Sequence, residues 1–222
     1  MRRLVLFDLD YTLLPIDSDY EWGRFLGRIG AIDAAEFDAR NRAYFEQYKA
    51  GTLDIAEFLG FSLGLIANRP RAQIEDWRNR YMAEVITPSI RPQARALVEQ
   101  AQARGDLCAI VTATNTFVTT PIAHAFGVEH LVGSEGEQVD GVYTGRPLGT
   151  PSYREGKVTR TDAWLNSLGH RHAGFDETWF YSDSSNDLPL LERVSHPVAT
   201  NPDDRLRALA TQRGWPVLEL FA

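Results

Sequence analysis

The stretch RRLVLFDLDYTLL, residues 2–14, reads as a buried β-strand that runs into two acidic residues. Its apolar run LVLF predicts the strand, and Asp8 and Asp10 follow one residue apart. Side chains two positions apart leave a strand on the same side, so both carboxylates can face one small volume beyond its carboxyl end. Burying two such carboxylates requires a cation, hydrogen bonds or a raised pKa. A plain polar turn has the same sequence, so other parts of the chain must decide.

Two more polar groups lie beside predicted elements further along the chain. Thr112 follows the strand-like run LCAIV, residues 107–111, where it has the position of a strand exit and helix N-cap. Lys157 lies at the start of the amphipathic helical stretch YREGKVTRTDAWL. Taken singly, a threonine after a strand is most often a cap or turn residue, and a lysine on a helix is most often a solvated surface group.

The stretch WFYSDSSNDLPLL, residues 179–191, brings a third strand-like run to Asp183 and Asp187. Four residues span about one helical turn, so a carboxylate at the strand end and one in the first turn can face the same cation. Hard divalent cations such as Mg²⁺ select oxygen ligands of this kind. The segment SSND also suits an ordinary N-capped helix, but the order of all the motifs along the chain favours a cation site.

Together these four motifs resemble those of the haloacid dehalogenase-like hydrolases, in which DLDYT matches the pattern D-x-D-x-T. A helical insert after the first strand makes the chain similar to the phosphoserine phosphatase-like branch. Within it, GTPSYREGK and SDSSNDLPLL resemble a bacterial subgroup that includes histidinol-phosphate phosphatases. The resemblance implies an α/β fold, with a Rossmann-like parallel sheet core, an inserted all-helical cap and a β-hairpin.

The resemblance also implies the chemistry of the acidic residues. Asp8 is the expected nucleophile, which forms an aspartyl-phosphate, and Asp10 is the expected acid and base. The pKa of Asp10 is expected to be raised by Asp8 and by the apolar strand. Mg²⁺ is the implied cofactor, with Asp8, the backbone carbonyl of Asp10, Asp183 and Asp187 as its expected ligands.

Four groups are implied to bind the phosphoryl oxygens. They are Thr112, the backbone N–H of Ala113, Lys157 and Asn186. Lys157 is expected to offset the negative charge that the nucleophile and the phosphate bring together. Asn186 is expected to hydrogen-bond to phosphate or to a metal-bound water.

Asp17 lies nine residues after Asp8, where phosphoserine phosphatases carry an acidic residue that binds the amino group of the substrate. The stretch PIDSDYEW equally suits a helix N-cap, and both interpretations stay open. Those enzymes also use a cap arginine for the substrate carboxylate, and neither Arg40 nor Arg42 lies in a matching motif. The expected substrate is therefore a small amine-bearing phosphate monoester, histidinol phosphate before phosphoserine.

The apolar spacing predicts a run of helices from about Ser18 to Ile86. It divides the chain into a helical cap domain, residues 17–87, and an α/β core, residues 1–16 and 88–222. An aromatic stripe in the cap is predicted to fill the cap interior; it consists of Phe37, Tyr44, Phe45 and Tyr48. Residues 130–147 predict a β-hairpin, helices are predicted at 91–104, 116–126, 155–168, 186–193 and 203–212, and strands at 178–181, 197–200 and 216–220.

Composition excludes several classes of function. The 222 residues, 44% hydrophobic and 24% charged, suffice for one core and a small accessory domain. A net charge of −7, with no basic stretch interleaved with aromatic residues, argues against a nucleic-acid partner. The apolar run before Asp8 is too short for a signal peptide or a membrane span, so we expect no membrane partner and a cytoplasmic location. Cys108, the single cysteine, is expected to be an inert small hydrophobe.

Other functions compete with that of a phosphatase. A haloacid dehalogenase uses the same first aspartate but needs neither Asp10 nor the pair Asp183 and Asp187. A phosphomutase of the same superfamily stays open and would require a bisphosphate activator. A catalytically silent binding protein tolerates loss of the nucleophile, whereas all four motifs are complete here. The favoured interpretation is a hydrolase of phosphoric monoesters.

Overall fold

A seven-stranded sheet forms the centre of the protein, for which a computed structural model describes residues 2–221. The strands are β1 Arg3–Phe7, β2 Leu107–Asn115, β3 His130–Val139, β4 Val142–Leu148, β5 Glu177–Ser182, β6 His196–Thr200 and β7 Val217–Leu218. Their order in the sheet is β4-β3-β2-β1-β5-β6-β7, and only β4 runs antiparallel to its neighbour among these described strands. The predicted α/β class with its β-hairpin is confirmed.

Helices cover the sheet and fill the long segment between β1 and β2. They are α1 Ser18–Arg28, α2 Ala34–Ala50, α3 Ile55–Gly64, α4 Arg71–Tyr81, α5 Thr87–Ser89, α6 Pro92–Ala103, α7 Thr116–Ala125, α8 Glu155–Ser167, α9 Leu188–Leu191 and α10 Asp204–Arg213. A π-helical turn, Met82–Ile86, joins α4 to α5, and 3₁₀ turns lie at His172–Gly174 and Ser185–Asp187. The insert is helical as predicted, and its limits as a domain at residues 17 and 87 remain a prediction.

Strand β1 is buried on both faces, which explains why it is apolar at successive positions instead of alternating. Val5 and Phe7 pack into one hydrophobic cluster, whereas Leu4 and Leu6 pack into another on the opposite side of the sheet. All four are at most 2% exposed. The strand is therefore fixed at the sheet centre, and the chain that leaves its carboxyl end starts from a rigid position.

Three of the cap helices begin at aspartates that act as N-caps. The carboxylates of Asp17, Asp33 and Asp54 accept backbone N–H groups in the first turns of α1, α2 and α3. Such caps satisfy donors that have no partner inside the helix. Helix α2 ends at Gly51, whose φ of 73° is the left-handed conformation that glycine adopts without strain. Local sequence thus sets the limits of the insert's helices.

The end of β2 differs from the prediction. Thr112 was expected at the strand exit as a helix N-cap, but the strand continues to Asn115, and the Asn115 side chain caps α7 by accepting the N–H of Val118. The extension pairs with β3 after an irregularity in register, with Asn115 opposite Ser134. The threonines in TATN are β-branched, so they suit a strand as well as they suit a turn.

The single cysteine of the sequence is buried in the sheet. Cys108 is 7% exposed in β2, and burial, with Asp106 adding to it, raises the pKa of its thiol to about 12. The thiol is therefore protonated at neutral pH, as expected of an inert cysteine.

Across residues 2–221, none of the helices combines the length and the apolar character that a membrane crossing requires.

Two glycine substitutions test the packing that places α8. A Cβ atom at Gly156 would overlap the backbone oxygen of Pro151, whereas one at Gly60 in α3 has no neighbour within 4 Å. We expect Gly156→Ala to lower the free energy of unfolding by about 1–3 kcal/mol, because the backbone must shift. The matched control Gly60→Ala should raise it by about 0.5–1 kcal/mol through helix propensity. Urea denaturation measures both, and equal effects would contradict the close approach at Gly156.

Candidate active site

A cavity opens at the carboxyl end of β1, between the sheet and the helices α2 and α3. Five of the predicted site residues line it on the side of the sheet, namely Asp8, Asp10, Thr112, Ala113 and Asp183. Lys157, Asp187 and Asp17 also line it. Among the predicted site residues, Asn186 is the one that the cavity does not include. This is the position that open parallel sheets use for ligands.

Lys157 connects two of the buried aspartates. Its Nζ lies 2.7 Å from Asp8 Oδ1 and 2.7 Å from Asp187 Oδ2, and only 4% of its side chain is exposed. Ser182 also donates its hydroxyl to Asp187 Oδ2, at 2.7 Å. Burial opposes the charge on Lys157, but the two carboxylates outweigh it and raise its pKa. The ammonium group is therefore charged, and it links the start of α8 to the ends of β1 and β5.

Thr12 fixes the loop that carries the nucleophile candidate. Its hydroxyl lies 3.1 Å from Asp8 Oδ2 and 3.3 Å from Asp183 Oδ1, and it accepts the backbone N–H of Asp183 at 3.0 Å. Burial raises the pKa of Asp183 well above its usual value, and Asp8 and Asp187 raise it further. Asp183 thus lies in a cluster with more acidic groups than cationic ones.

The charge of this cluster suits a divalent cation. Lys157 hydrogen-bonds to Asp8 and Asp187 but not to Asp183, and burial raises the pKa of each of these three carboxyl groups. Within residues 2–221, no three His, Cys, Asp or Glu side chains have the arrangement of a metal-ligand set. The excess of negative charge and the oxygen donors nevertheless match what a hard divalent cation requires.

Asp10 is held beside Asp8 by two donors. The backbone N–H of Ser18 donates to its Oδ1 at 2.7 Å, and the Thr114 hydroxyl donates to its Oδ2 at 2.9 Å. Burial raises the pKa of Asp10 to about 7, and Asp17 is the next contributor. The sequence predicted a raised pKa through Asp8, but the acidic neighbour that contributes most is Asp17.

The end of β2 supplies the next side of the cavity. Thr112 is 1% exposed, and its Oγ1 accepts the backbone N–H of Thr114 at 3.2 Å. Ala113 lies between them and also lines the cavity. Sequence reasoning missed Thr114, although its position two residues after Thr112 in an extended strand would have placed it on the same side.

Asp17 combines the two roles that the sequence left open. Its Oδ1 accepts the N–H groups of Asp19 and Tyr20 at 2.9 Å each, which makes it the N-cap of α1, and it also lines the cavity. Burial raises its pKa to about 6, with Asp19 as the next cause. The capping geometry is therefore observed, and contact with a substrate remains a prediction.

Asp19 is a cavity residue that the sequence reasoning did not find. It is 7% exposed, and its Oδ1 accepts the Ser62 hydroxyl at 2.7 Å and the Asn115 amide at 3.3 Å. Burial raises its pKa to about 6. Its spacing of two residues from Asp17 was a signal, but the partners on α3 and β2 become visible only in the folded chain.

Asn186 does not line the cavity, and its predicted contact with phosphate or a metal-bound water remains a prediction. Its Oδ1 accepts two hydrogen bonds from Arg154, at 3.2 Å from Nε and 3.0 Å from Nη2. The same Nη2 donates to the carbonyl of Gly51 at the end of α2, at 2.8 Å. Arg154 has a φ of 49°, a conformation that costs energy in any residue but glycine. Arg154 therefore joins the loop after β5, which carries Asn186, to the end of α2.

The aromatic stripe of α2 does not act as one unit. Phe37 is 4% exposed and packs in the cap interior, as predicted. Tyr44, Phe45 and Tyr48 line the cavity instead, so the prediction that they only fill the cap interior is wrong. Tyr48 also places its hydroxyl 2.6 Å from the Ser184 Oγ beside Asp183. Helical spacing alone does not distinguish these two faces.

Comparison with known proteins assigns the family. Residues 5–192 match the family model of the haloacid dehalogenase-like hydrolases. The chain belongs to this family. As a member of the haloacid dehalogenase-like hydrolases it is an enzyme, which confirms the resemblance drawn from the motifs.

Individual relatives in the family are close. The chain is 44% identical over 219 residues to a histidinol-phosphatase of Neisseria meningitidis, covering 98% of this chain and 99% of that one. It is 31% identical over 221 residues to a phosphoserine phosphatase of Mycobacterium tuberculosis, covering 98% and 70%. A crystal structure of a Bordetella pertussis protein of unknown function has a TM-score of 0.95 and 52% identity over 100% of both chains. Family and relatives together support the predicted class of phosphoric monoester hydrolases.

Arg154 offers a test of the contact between cap and core in this hydrolase. Arg154→Gly removes the three hydrogen bonds and relieves the unfavourable backbone, so the fold should be retained. We expect kcat/KM for an aryl phosphate to fall about tenfold, the size of one charged hydrogen bond. Arg171→Gly, at an exposed arginine, is the control and should leave kcat/KM unchanged. Equal activity of the two variants would show that this contact does not support catalysis.

Proposed function

We propose that this hydrolase is a magnesium-dependent phosphomonoesterase that forms an aspartyl-phosphate on Asp8. Its proposed substrate is a small amine-bearing phosphate ester, histidinol phosphate. The observation that carries the proposal is the position of Asp8, which is 6% exposed at the end of β1 and reaches the cavity between Lys157 and Thr12. A carboxylate fixed in this way can attack a phosphorus atom in one orientation.

Asp8 and Asp10 divide the two chemical steps between them. In the first step a carboxylate oxygen of Asp8 bonds to phosphorus while the bond from phosphorus to the ester oxygen breaks, and Asp10 gives its proton to the departing oxygen. In the second step a water attacks the phosphorus and gives a proton to Asp10, while the bond from phosphorus to the Asp8 oxygen breaks, which releases inorganic phosphate and restores both carboxyl groups. A pKa near 7 makes Asp10 available in both protonation states near neutral pH, and such catalysis contributes about 10²–10⁴-fold.

Groups from two elements are proposed to hold the phosphoryl oxygens. Thr112 contributes its hydroxyl and Ala113 its backbone N–H, both from the end of β2. Lys157 contributes a charge from the start of α8 that is already in place before the reaction. Fixed donors of this kind stabilise the charge of a transition state without having to reorganise. Asn186 is left out of this set, because it lies outside the cavity lining and its Oδ1 accepts hydrogen bonds from Arg154.

The carboxylates of Asp8 and Asp183, with the backbone carbonyl of Asp10, are proposed to hold Mg²⁺. Asp187 lies next to them and holds Lys157 in place. When bound, the cation draws negative charge from the phosphoryl group and lowers the repulsion between that group and the carboxylate of Asp8. The unbalanced charge of the acidic cluster is the structural support for this assignment.

The charges along the cavity favour an amine over a carboxylate in the substrate. Asp10, Asp17 and Asp19 all have a raised pKa and line one cavity, where a cationic group would stabilise their charged forms. Lys157 is the one Lys or Arg among the described residues that line the cavity, and the phosphoryl group requires it.

Neither arginine considered from the sequence supplies the missing cation for a carboxylate. Arg40 stacks on Phe61 at 4.5 Å and lines a separate groove on the cap, and Arg42 is exposed. A phosphoserine carboxylate would therefore lie among acidic groups without a partner. The lack of a cation for a substrate carboxylate, together with the 44% identity to a histidinol-phosphatase, supports histidinol phosphate over phosphoserine.

Replacement of the nucleophile tests the mechanism. We expect Asp8→Asn to lower kcat for an aryl phosphate by about 10⁴-fold or more, because an amide does not attack phosphorus and forms no aspartyl-phosphate. Steady-state kinetics with Mg²⁺ and acid quenching of the phosphorylated protein measure both effects. The wild type should lose its activity in EDTA and regain it when Mg²⁺ is returned.

A matched variant controls for the loss of one negative charge. Asp140→Asn makes the same change at an exposed turn of the hairpin, where a φ of 51° suits asparagine, and should leave both activity and phosphorylation unchanged. Turnover by Asp8→Asn at the wild-type rate would contradict the covalent mechanism. Full activity of the wild type in EDTA would contradict the role of the metal.

A further inference from the structure

One wall of the cavity is apolar, aromatic and not used by the chemistry described above. We propose that this wall, formed by Asn41, Tyr44, Phe45 and Tyr48 of α2 with Phe58 of α3, binds a nitrogen-containing aromatic ring of the substrate. The proposal rests on the proposed function, because it assigns the part of the substrate that lies beyond the phosphate and the amine. On this proposal the wall determines which phosphate esters the enzyme selects.

The wall is one face of a helix. Asn41, Tyr44, Phe45 and Tyr48 are separated by three, one and three residues, the spacing that places side chains on the same side of α2, and all four line the cavity. Phe58 extends this face from α3, with its ring 5.5 Å from that of Tyr44 and nearly perpendicular to it. The cavity therefore has an extended aromatic side opposite its acidic one.

The two ends of the wall lie at different distances from the phosphoryl site. Tyr48 marks the near end, because its hydroxyl contacts Ser184 next to Asp183. Asn41 is seven residues earlier on the same helix, and a rise of 1.5 Å per residue puts it about 10 Å further along the axis. A ring carried on the third carbon from the ester oxygen, with an amine on the carbon between, would lie along the wall between these two ends.

The chemistry of the wall suits a flat ring. Phe45 is 44% exposed, so a large apolar surface beside the cavity is uncovered, and a bound ring would remove part of it from water. The Tyr48 hydroxyl is already engaged with Ser184, which leaves its ring as the surface offered to a ligand. Aromatic side chains form offset-stacked or edge-on contacts with another ring, and these contacts stabilise the pair beyond the burial of area alone.

Asn41 adds polar recognition at the far end. Its amide makes no hydrogen bond to any group in residues 2–221, although it lines the cavity. An amide offers both donors and an acceptor, and an imidazole ring offers one nitrogen of each kind in its neutral form. Asn41 therefore distinguishes a ring that carries nitrogen from a purely hydrocarbon ring of similar size.

Binding of product alcohols tests the subsite without requiring turnover. Calorimetric titration, with Mg²⁺ and inorganic phosphate present, would compare histidinol, phenylalaninol and 2-amino-1-propanol, which differ in the ring alone. We expect histidinol to bind the wild type at least about tenfold more tightly than 2-amino-1-propanol. Phe45→Ala should remove most of this difference. Because Phe45 is partly exposed, its variant should fold, and urea denaturation would verify this.

A second variant isolates the ring nitrogens. Asn41→Leu should weaken histidinol about fivefold and leave phenylalaninol unchanged, because only histidinol can hydrogen-bond to the amide. Gln47→Leu is the matched control, since it makes the same amide-to-leucine change on α2 at a residue that does not line the cavity. It should leave the dissociation constants of all three alcohols unchanged.

The outcomes separate this subsite from the proposed substrate. Equal affinities for the three alcohols, no binding of any of them, or a preference for histidinol that survives both variants would overturn the ring subsite. Turnover of histidinol phosphate by the wild type is measured in parallel. Ring-dependent binding without turnover of histidinol phosphate would support the subsite and overturn the proposed substrate. Turnover of histidinol phosphate without ring-dependent binding would support the proposed substrate and overturn the subsite.

Discussion

The buried ammonium of Lys157, shared between Asp8 and Asp187, is the interaction on which the site depends. Three elements meet there, because β1 supplies Asp8, α8 supplies Lys157 and the loop after β5 supplies Asp187. Carboxylates buried this deeply are costly unless a cation and hydrogen bonds compensate them. Removal of one partner from such a group leaves an uncompensated charge, at a cost of about 3–5 kcal/mol. The same contact that permits the acidic cluster also sets the direction of the carboxylate of Asp8, the proposed nucleophile.

The segment before α8 explains how Lys157, 149 residues after Asp8 in the sequence, comes to lie beside the end of β1. Arg154, with its left-handed φ, turns the chain into α8 and reaches both Asn186 and the end of α2. Gly156 permits the close approach to Pro151 that puts Lys157 in the following position. This short segment therefore positions the ammonium of Lys157 in the core and joins the end of α2 to the loop after β5. The proposed ring-binding wall of the cap and the proposed chemistry at the core share this support.

The parts of the site that follow from local sequence were predictable, and those that depend on distant contacts were not. Asp8 and Asp10 come from a single strand and its loop, so a pattern of a few residues defines them. Asp19 and Thr114 lie within two residues of predicted residues, yet their partners come from other elements. Three residues of the aromatic wall, Tyr44, Phe45 and Tyr48, were assigned to the cap interior because one helical period fits a buried face and a cavity face alike.

A double-mutant cycle on Lys157 and Asp187 tests the central claim most directly. The free energy of unfolding in urea, without divalent cations, would be compared for the wild type, Lys157→Met, Asp187→Asn and the double variant. We expect Lys157→Met alone to cost about 3–5 kcal/mol, and the double variant to cost at least about 1 kcal/mol less than the sum of the two single variants. Effects that add to within about 0.5 kcal/mol would contradict the claim that Lys157 compensates the buried carboxylates.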